Sequence, residues 1–332
     1  MTWTAVIGAG NWGTALADLL ARRGHGATVW AYEPTVVDGI NNRHENPIYL
    51  AGRELNPGVR ATGDLSAAIA GAALIVMATP SHVFRDVLAG FASGVRPGSL
   101  VVCATKGLEP QSLALFSDVL TAALPAARIA VLSGPSFAEE VYARLPTAVV
   151  AASANPAVAR AVQEAFTTPE FRVYAHHDLI GVQLGGALKN VIAIAAGIVE
   201  GLGLGHNAAA ALITRGLAEM ARLGRAMGAD PLTFAGLAGM GDLVLTTTGS
   251  LSRNRALGLA LADGTTLEAW RATHRTVAEG AETARAAVAL GRRHGVELPI
   301  CAQVHRILYE GHPARQAVSE LMERSLKAEA WQ

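Results

Sequence analysis

The sequence predicts an α/β fold in two parts: a doubly wound parallel sheet over residues 1–180, followed by an all-helical region over 181–332. Three observations carry this. Short apolar runs alternate with helix-period stretches through the first half, the pattern of a parallel sheet covered on both faces. A glycine-rich turn joins the first run to the first helical stretch. Strand-like runs largely disappear after residues 171–175, where alanine- and leucine-rich periodic stretches take over.

The first element is an apolar strand, Thr4-Ala5-Val6-Ile7, running into a G-x-G-x-x-G turn at Gly8, Gly10 and Gly13. In such a turn the first glycine permits the tight bend, the second leaves room for a pyrophosphate against the backbone, and the third lets the helix pack close. Residues 14–23 continue as a helix with Leu16, Leu19 and Leu20 on one face and a stop at Gly24, so its starting N–H groups form an anion site. Residues 27–32 read as the second strand. Glu33 follows it, about twenty residues after the turn, where an acid binds a ribose hydroxyl. Strand, turn, helix, strand and acid in this order predict a Rossmann-like dinucleotide-binding domain. Further strands are expected at 74–77, 100–103, 129–132, 147–151 and 171–175, with helices at 81–88 and 112–123. In the second half the periodic stretches fall at 207–227, 267–273, 281–294 and 302–309.

Composition narrows the function. Of 332 residues, 51% are hydrophobic, enough for a large core. The 27 basic and 27 acidic side chains cancel, so the chain has no electrostatic footprint for nucleic acid or an anionic membrane. Cys103 and Cys301 form neither a disulfide framework nor a zinc pattern and read as core thiols. The N-terminus enters a strand at once, without a signal-peptide pattern, so a cytoplasmic location is expected. Residues 179–204 are the nearest approach to a membrane segment, but Lys189, Glu200 and repeated glycines interrupt them, and a buried central helix fits better. No H-E-x-x-H, paired-cysteine or clustered-carboxylate pattern argues for a metal, and no G-x-S-x-G elbow argues for hydrolysis. The adjacent His176 and His177, on a strand, would face opposite ways and read as structural.

Four constellations could carry chemistry. Lys106, in Ala104-Thr105-Lys106-Gly107, follows a core strand at its carboxyl end, where open parallel sheets bind ligands; a solvated turn lysine fits equally well. Ser136 and Glu139, in Ser133-Gly134-Pro135-Ser136-Phe137-Ala138-Glu139-Glu140, have the spacing of a helix capping box. Lys189 sits inside the apolar stretch Gly185-Gly186-Ala187-Leu188-Lys189-Asn190-Val191-Ile192, where a charged side chain must snorkel, find a partner, or serve a function. Desolvation would bring its pKa within reach of proton exchange near neutrality. The fourth is Gly239-Met240-Gly241-Asp242 with Ser252-Arg253-Asn254-Arg255, where Ser252 can cap a helix over 253–261 whose free N–H groups, with Arg253 and Asn254, would cradle a phosphate.

Together these segments closely resemble the bacterial NAD(P)-dependent glycerol-3-phosphate dehydrogenases: Gly-Ala-Gly-Asn-Trp-Gly-Thr-Ala-Leu-Ala, Ala-Thr-Lys-Gly-Leu-Glu, Ser-Gly-Pro-Ser-Phe-Ala, Gly-Gly-Ala-Leu-Lys-Asn-Val-Ile-Ala, and Gly-Met-Gly-Asp-Leu-Val-Leu-Thr with Ser-Arg-Asn. The resemblance runs nearly end to end. It implies NAD or NADP as cofactor and dihydroxyacetone phosphate and sn-glycerol 3-phosphate as substrates, with the product supplying the glycerophospholipid backbone. It also implies a homodimer. Carried over by residue, it puts Asn11 and Trp12 on the dinucleotide, with Tyr32, Glu33 and Tyr49 near its adenosine end. Lys106 would touch cofactor and substrate, Gly134 and Ser136 the substrate, and Ala138 the cofactor. Lys189 corresponds to the proton-transfer lysine, and Asp242 would orient it or a substrate hydroxyl. Asp242, Ser252, Arg253 and Asn254 complete the substrate site, while Arg253, Val277 and Glu279 fall where the family closes over the cofactor. Asn11 stands where a serine is common, Ser136 where threonine is frequent, and Ala278 where valine is usual. Cofactor choice stays open at this point: Glu33 suits a free ribose 2′-hydroxyl, whereas Arg22, Arg43 or Arg53 could reach a 2′-phosphate.

Overall fold

A computed structural model of the chain describes residues 3–274 and 278–326. Eight strands form one sheet: β1 (Trp3–Ile7), β2 (Gly26–Trp30), β3 (Val59–Thr62), β4 (Leu74–Met77), β5 (Leu100–Cys103), β6 (Arg128–Ser133), β7 (Thr147–Ala152) and β8 (Phe171–His176). Their order is β3-β2-β1-β4-β5-β6-β7-β8. The first six are mutually parallel, so the turns after β1, β4, β5 and β6 emerge at one edge.

The wholly parallel sheet expected from the alternation needs correction at its far end. β7 runs antiparallel to β6, and β8 is parallel to β7. A parallel neighbour requires a crossover that carries the chain back to the opposite edge. Between β6 and β7 the chain forms only the five-residue helix Ala138–Tyr142, so it re-enters the sheet from the edge where it left. The helix Pro156–Phe166 then makes a full crossover, which restores parallel pairing for β8. β3 escaped the sequence reading because its Val-Arg-Ala-Thr alternates buried and exposed positions at the sheet margin and never forms an apolar run.

Helix boundaries also moved. The first helix is Asn11–Arg22, so its opening turn includes the last glycine of the motif. The 81–88 stretch divides into a 3-10 turn, Ser81–Val83, and the helix Phe84–Ala89. In the 112–123 stretch only Phe116–Ala123 is helical, preceded by Leu113 at a φ of 63°. His176 ends β8, so strand alternation does not extend to His177, and the two rings stack with centroids 5.0 Å apart instead of facing opposite ways.

The chain divides into two compact units. One comprises the residues through Thr105 together with Ala114–Leu179; the other comprises Lys106–Leu113 and the residues from Ile180 onward. In the first, Val6, Val29, Val76, Val102 and Leu132 of the sheet are buried with Leu16 and Leu20 of the first helix in one hydrophobic core.

The second unit is helical, built around Leu179–Gly201. That helix is long and apolar enough to cross a membrane by length and composition, but its apolar window is entirely buried within the protein, as in a core helix. It lies backbone to backbone against Arg253–Ala262. A Cβ on Gly197 would come within 2.0 Å of the Arg255 carbonyl oxygen, and one on Gly258 within 2.0 Å of the Ile194 carbonyl oxygen, so only glycine fits either position. Cys103 and Cys301 are both buried free thiols.

Candidate active site

In the first unit the glycine turn has the geometry its sequence demands. Gly8 has a φ of 114°, a conformation open to glycine and strained for other residues. A Cβ on Gly13 would meet the Gly8 carbonyl oxygen at 1.9 Å, which fixes how tightly the helix abuts the turn. Above Gly10, by contrast, a Cβ would find no atom within 4 Å. Gly10 is also the N-cap of Asn11–Arg22 and supplies no capping side chain, so Asn11, Trp12 and Gly13 begin a helix whose first N–H groups are available to an anion. Open space over the second glycine and an uncapped helix start suit a pyrophosphate.

A side chain that sequence reasoning missed holds this turn in shape. The fully buried Asn46 donates to the Ala9 carbonyl at 2.8 Å and to the Thr14 hydroxyl at 2.9 Å. Tyr32 is exposed, and Glu33, at the N-cap of the helix Pro34–Arg43, accepts a 2.7 Å hydrogen bond from the Tyr49 hydroxyl.

Ser136 does not cap a helix as expected. The helix begins at Ala138 with Phe137 at its N-cap and no side-chain cap, while the Ser136 hydroxyl donates to the Gly134 carbonyl at 2.9 Å. Gly134 has a φ of 135°, so the chain bends sharply as it leaves β6; this places the serine hydroxyl over its own turn.

In the second unit, Lys189 has the partner its burial requires. Its Nζ donates to Asp242 Oδ1 and to Thr246 Oγ1, each at 2.6 Å. The other carboxylate oxygen, Oδ2, accepts from Lys106 Nζ at 2.6 Å. Asp242 thus bridges two ammonium groups. Its side chain is 1% exposed, against 7% for Lys189 and 17% for Lys106, so Lys106 is the more accessible cation.

Local sequence explains the assembly. Gly185 lies one helical turn before Lys189, and its missing side chain admits the Ala238 carbonyl, which a Cβ would meet at 2.4 Å. The segment Leu237–Gly241 therefore packs against the lysine helix as a π-helical turn and delivers Asp242 to Lys189. Thr246, four residues further along Asp242–Thr248, shares the face of Asp242. Sequence reasoning missed Thr246, although the Asp-x-x-x-Thr spacing on a helix was its available signal.

Burial drives the electrostatics. Desolvation, with help from the neighbouring Lys106 charge and against the pull of Asp242, brings the Lys189 pKa down to about 8. Burial would raise the Asp242 pKa, but the two ammonium groups outweigh it and hold the carboxyl below its ordinary value. Near neutral pH the trio is therefore two cations around one anion. This surplus positive charge in a desolvated setting can donate a proton and stabilise a developing oxyanion.

Beside it, Ser252 is the N-cap of Arg253–Ala262, its hydroxyl accepting from the Arg255 N–H at 3.2 Å, as the sequence suggested. Arg253 is exposed on the first helical turn. Asn254 is buried: its Nδ2 donates to Asn190 Oδ1 at 2.9 Å and its Oδ1 accepts from the Gly280 N–H at 2.9 Å. It thereby ties the lysine helix to the start of Glu279–His294. Val277 lies outside the described residues.

Residues 4–159 match the family model for the NAD-dependent glycerol-3-phosphate dehydrogenase N-terminus, and residues 178–319 match that for the C-terminus. The chain belongs to this dehydrogenase family. It is 57% identical over 329 residues to the glycerol-3-phosphate dehydrogenase (NAD(P)+) of Geobacter sulfurreducens, covering 98% of both chains. With the enzyme of the same name from Trichlorobacter lovleyi it shares 55% over 327 residues, again 98% of both. The crystal structure of glycerol-3-phosphate dehydrogenase from Coxiella burnetii superposes with a TM-score of 0.93 at 43% identity, over 97% of this chain and 99% of that one.

Proposed function

We propose that this chain is an NAD- or NADP-dependent sn-glycerol-3-phosphate dehydrogenase that reversibly reduces dihydroxyacetone phosphate. The observation that carries the reading is the Lys106–Asp242–Lys189 trio, in a chain that belongs to a dehydrogenase family. The bound dinucleotide supplies or takes up the hydride equivalent at the central carbon. Lys189 Nζ donates a proton to the carbonyl oxygen during reduction and accepts the hydroxyl proton in reverse. Lys106 holds the same oxygen, and Asp242 positions both ammonium groups.

The helix start at Ser252, with the Arg253 guanidinium and the second amide hydrogen of Asn254, holds the phosphate, and Gly134 and Ser136 complete the substrate contacts. Gly8, Gly10, Asn11, Trp12 and Gly13 take the pyrophosphate end of the cofactor; Tyr32, Glu33 and Tyr49 take its adenosine end. Lys106, Ala138, Arg253, Val277 and Glu279 complete the cofactor contacts. The reading extends to a cytoplasmic homodimer whose product forms the glycerophospholipid backbone, and its support is the likeness to the bacterial relatives.

The direct test follows NADH or NADPH absorbance with dihydroxyacetone phosphate. Substrate-dependent oxidation is expected, and none with either cofactor refutes the assignment.

Two further results follow from the geometry. The pKa of about 8 at Lys189 gives opposite pH profiles in the two directions. Reduction needs the ammonium, so kcat/KM falls as pH rises through that value; oxidation needs the amine, so kcat/KM rises over the same range. Profiles of the same sign in both directions would remove Lys189 as the proton carrier. Arg253→Ala should raise the KM for dihydroxyacetone phosphate by about tenfold or more, the scale of a lost charge-assisted phosphate contact, while the KM for the cofactor changes less. An unchanged substrate KM would put the phosphate elsewhere.

A further inference from the structure

Cofactor choice hangs on what surrounds the acid after β2. The Tyr49 hydroxyl donates to Glu33 Oε1 at 2.7 Å, so the carboxylate has a fixed position. Tyr49 is itself anchored, its backbone N–H donating to Asn46 Oδ1 at 3.1 Å. Asn46 in turn grips the Ala9 carbonyl and the Thr14 hydroxyl of the glycine turn. One line of hydrogen bonds thus runs from the pyrophosphate turn through Asn46 and Tyr49 to Glu33, setting the acid relative to the phosphates.

The three arginines that could neutralise a 2′-phosphate are engaged elsewhere. Arg22 pairs with the buried Asp18 and donates to the Tyr142 carbonyl at 3.2 Å. Arg53 pairs with Glu139 at 2.8 Å and lies over the Tyr142 ring. Arg43 pairs with Asp38 at 3.2 Å and stands at the far end of Pro34–Arg43, a helix about 15 Å long by its rise per residue.

We infer that the chain selects NAD(H) over NADP(H), and that Tyr49 is the positioning residue that sets this selection by holding the Glu33 carboxylate toward the ribose. A free 2′-hydroxyl donates to the carboxylate; a 2′-phosphate brings two negative charges against it. The inference rests on the reading that the Gly8–Gly13 turn holds a dinucleotide.

The test is a fluorescence titration of the full chain with NADH and with NADPH, without dihydroxyacetone phosphate, for wild type, Glu33→Gln and Tyr49→Phe. The wild type should bind NADH at least about tenfold more tightly than NADPH, the scale of one charge-assisted contact; a smaller ratio overturns the inference. Glu33→Gln should lower the ratio about tenfold, chiefly by tightening NADPH, since the like charge is gone. Tyr49→Phe should weaken NADH about three- to tenfold, the scale of one hydrogen bond, and weaken NADPH by a smaller factor. An equal loss for both cofactors would mean that Tyr49 merely supports the fold, and would overturn its role. Selective NADH binding in a chain inactive on dihydroxyacetone phosphate would refute the proposed reaction and leave this inference standing, whereas binding of neither cofactor overturns both.

Discussion

Lys189→Ala should lose about a hundred- to ten-thousandfold in kcat in both directions, the range associated with removing a general acid–base group, while dinucleotide affinity changes little. The lysine belongs to the helical unit, whereas the turn at Gly8, Gly10 and Gly13 belongs to the sheet unit. The folded state should tolerate the change, because Asp242 keeps Lys106 at 2.6 Å and is not left as an uncompensated buried anion. The measurement is steady-state turnover beside a cofactor titration. Wild-type turnover in this variant would end the assignment of Lys189, whatever the affinity.

Asp242→Asn should be the more damaging substitution for stability. The amide is nearly isosteric but carries no charge, which leaves two ammonium groups facing a neutral, buried side chain. Breaking a buried ion pair from one side costs about 3–5 kcal/mol, or about 10 °C in Tm for a unit of this size. Part of that cost can be relieved by Lys189 giving up its proton, because the carboxylate that opposes desolvation in the wild type is gone from the variant. Stability of the variant should therefore recover as pH rises, and its residual reduction activity should fall off at lower pH than in the wild type. Thermal melts across pH together with a pH–rate profile check both statements; a variant with unaltered Tm and profile would mean the trio does not act as one electrostatic unit.

Much of the architecture was legible because it was written in local patterns. β4 and β5 coincide with their apolar runs, since central strands buried on both faces read as continuous hydrophobic segments. The direction of β7 was not legible, because direction depends on what the connection does and not on the strand's own residues. Lys189 stood out as the one basic residue within the apolar helix Leu179–Gly201, yet its partner is 53 residues away and the second lysine on that partner 136 residues away. No periodicity reports such distances. Ser136 misled for the opposite reason: its spacing to Glu139 was right for a cap, but the positive φ at Gly134 offered the hydroxyl a nearer acceptor. Asn46 gave no signal at all, since an asparagine in a loop looks the same whether it faces water or braces a turn.

The short segment Lys106–Leu113 has a consequence for how the protein is made. It leaves the sheet after β5 and belongs to the helical unit, whose remaining residues begin at Ile180. During N-to-C synthesis it emerges long before Asp242, the group that holds Lys106. The sheet unit can collect its strands as they appear, but the helical unit cannot close its charged centre until the ribosome has passed the 237–248 region. A gene cut at residue 180 would likewise yield a helical fragment in which Asp242 has only one of its two lysines. The Lys106–Asp242–Lys189 trio is in this sense woven into the chain, and neither half of a chain cut at residue 180 contains it whole.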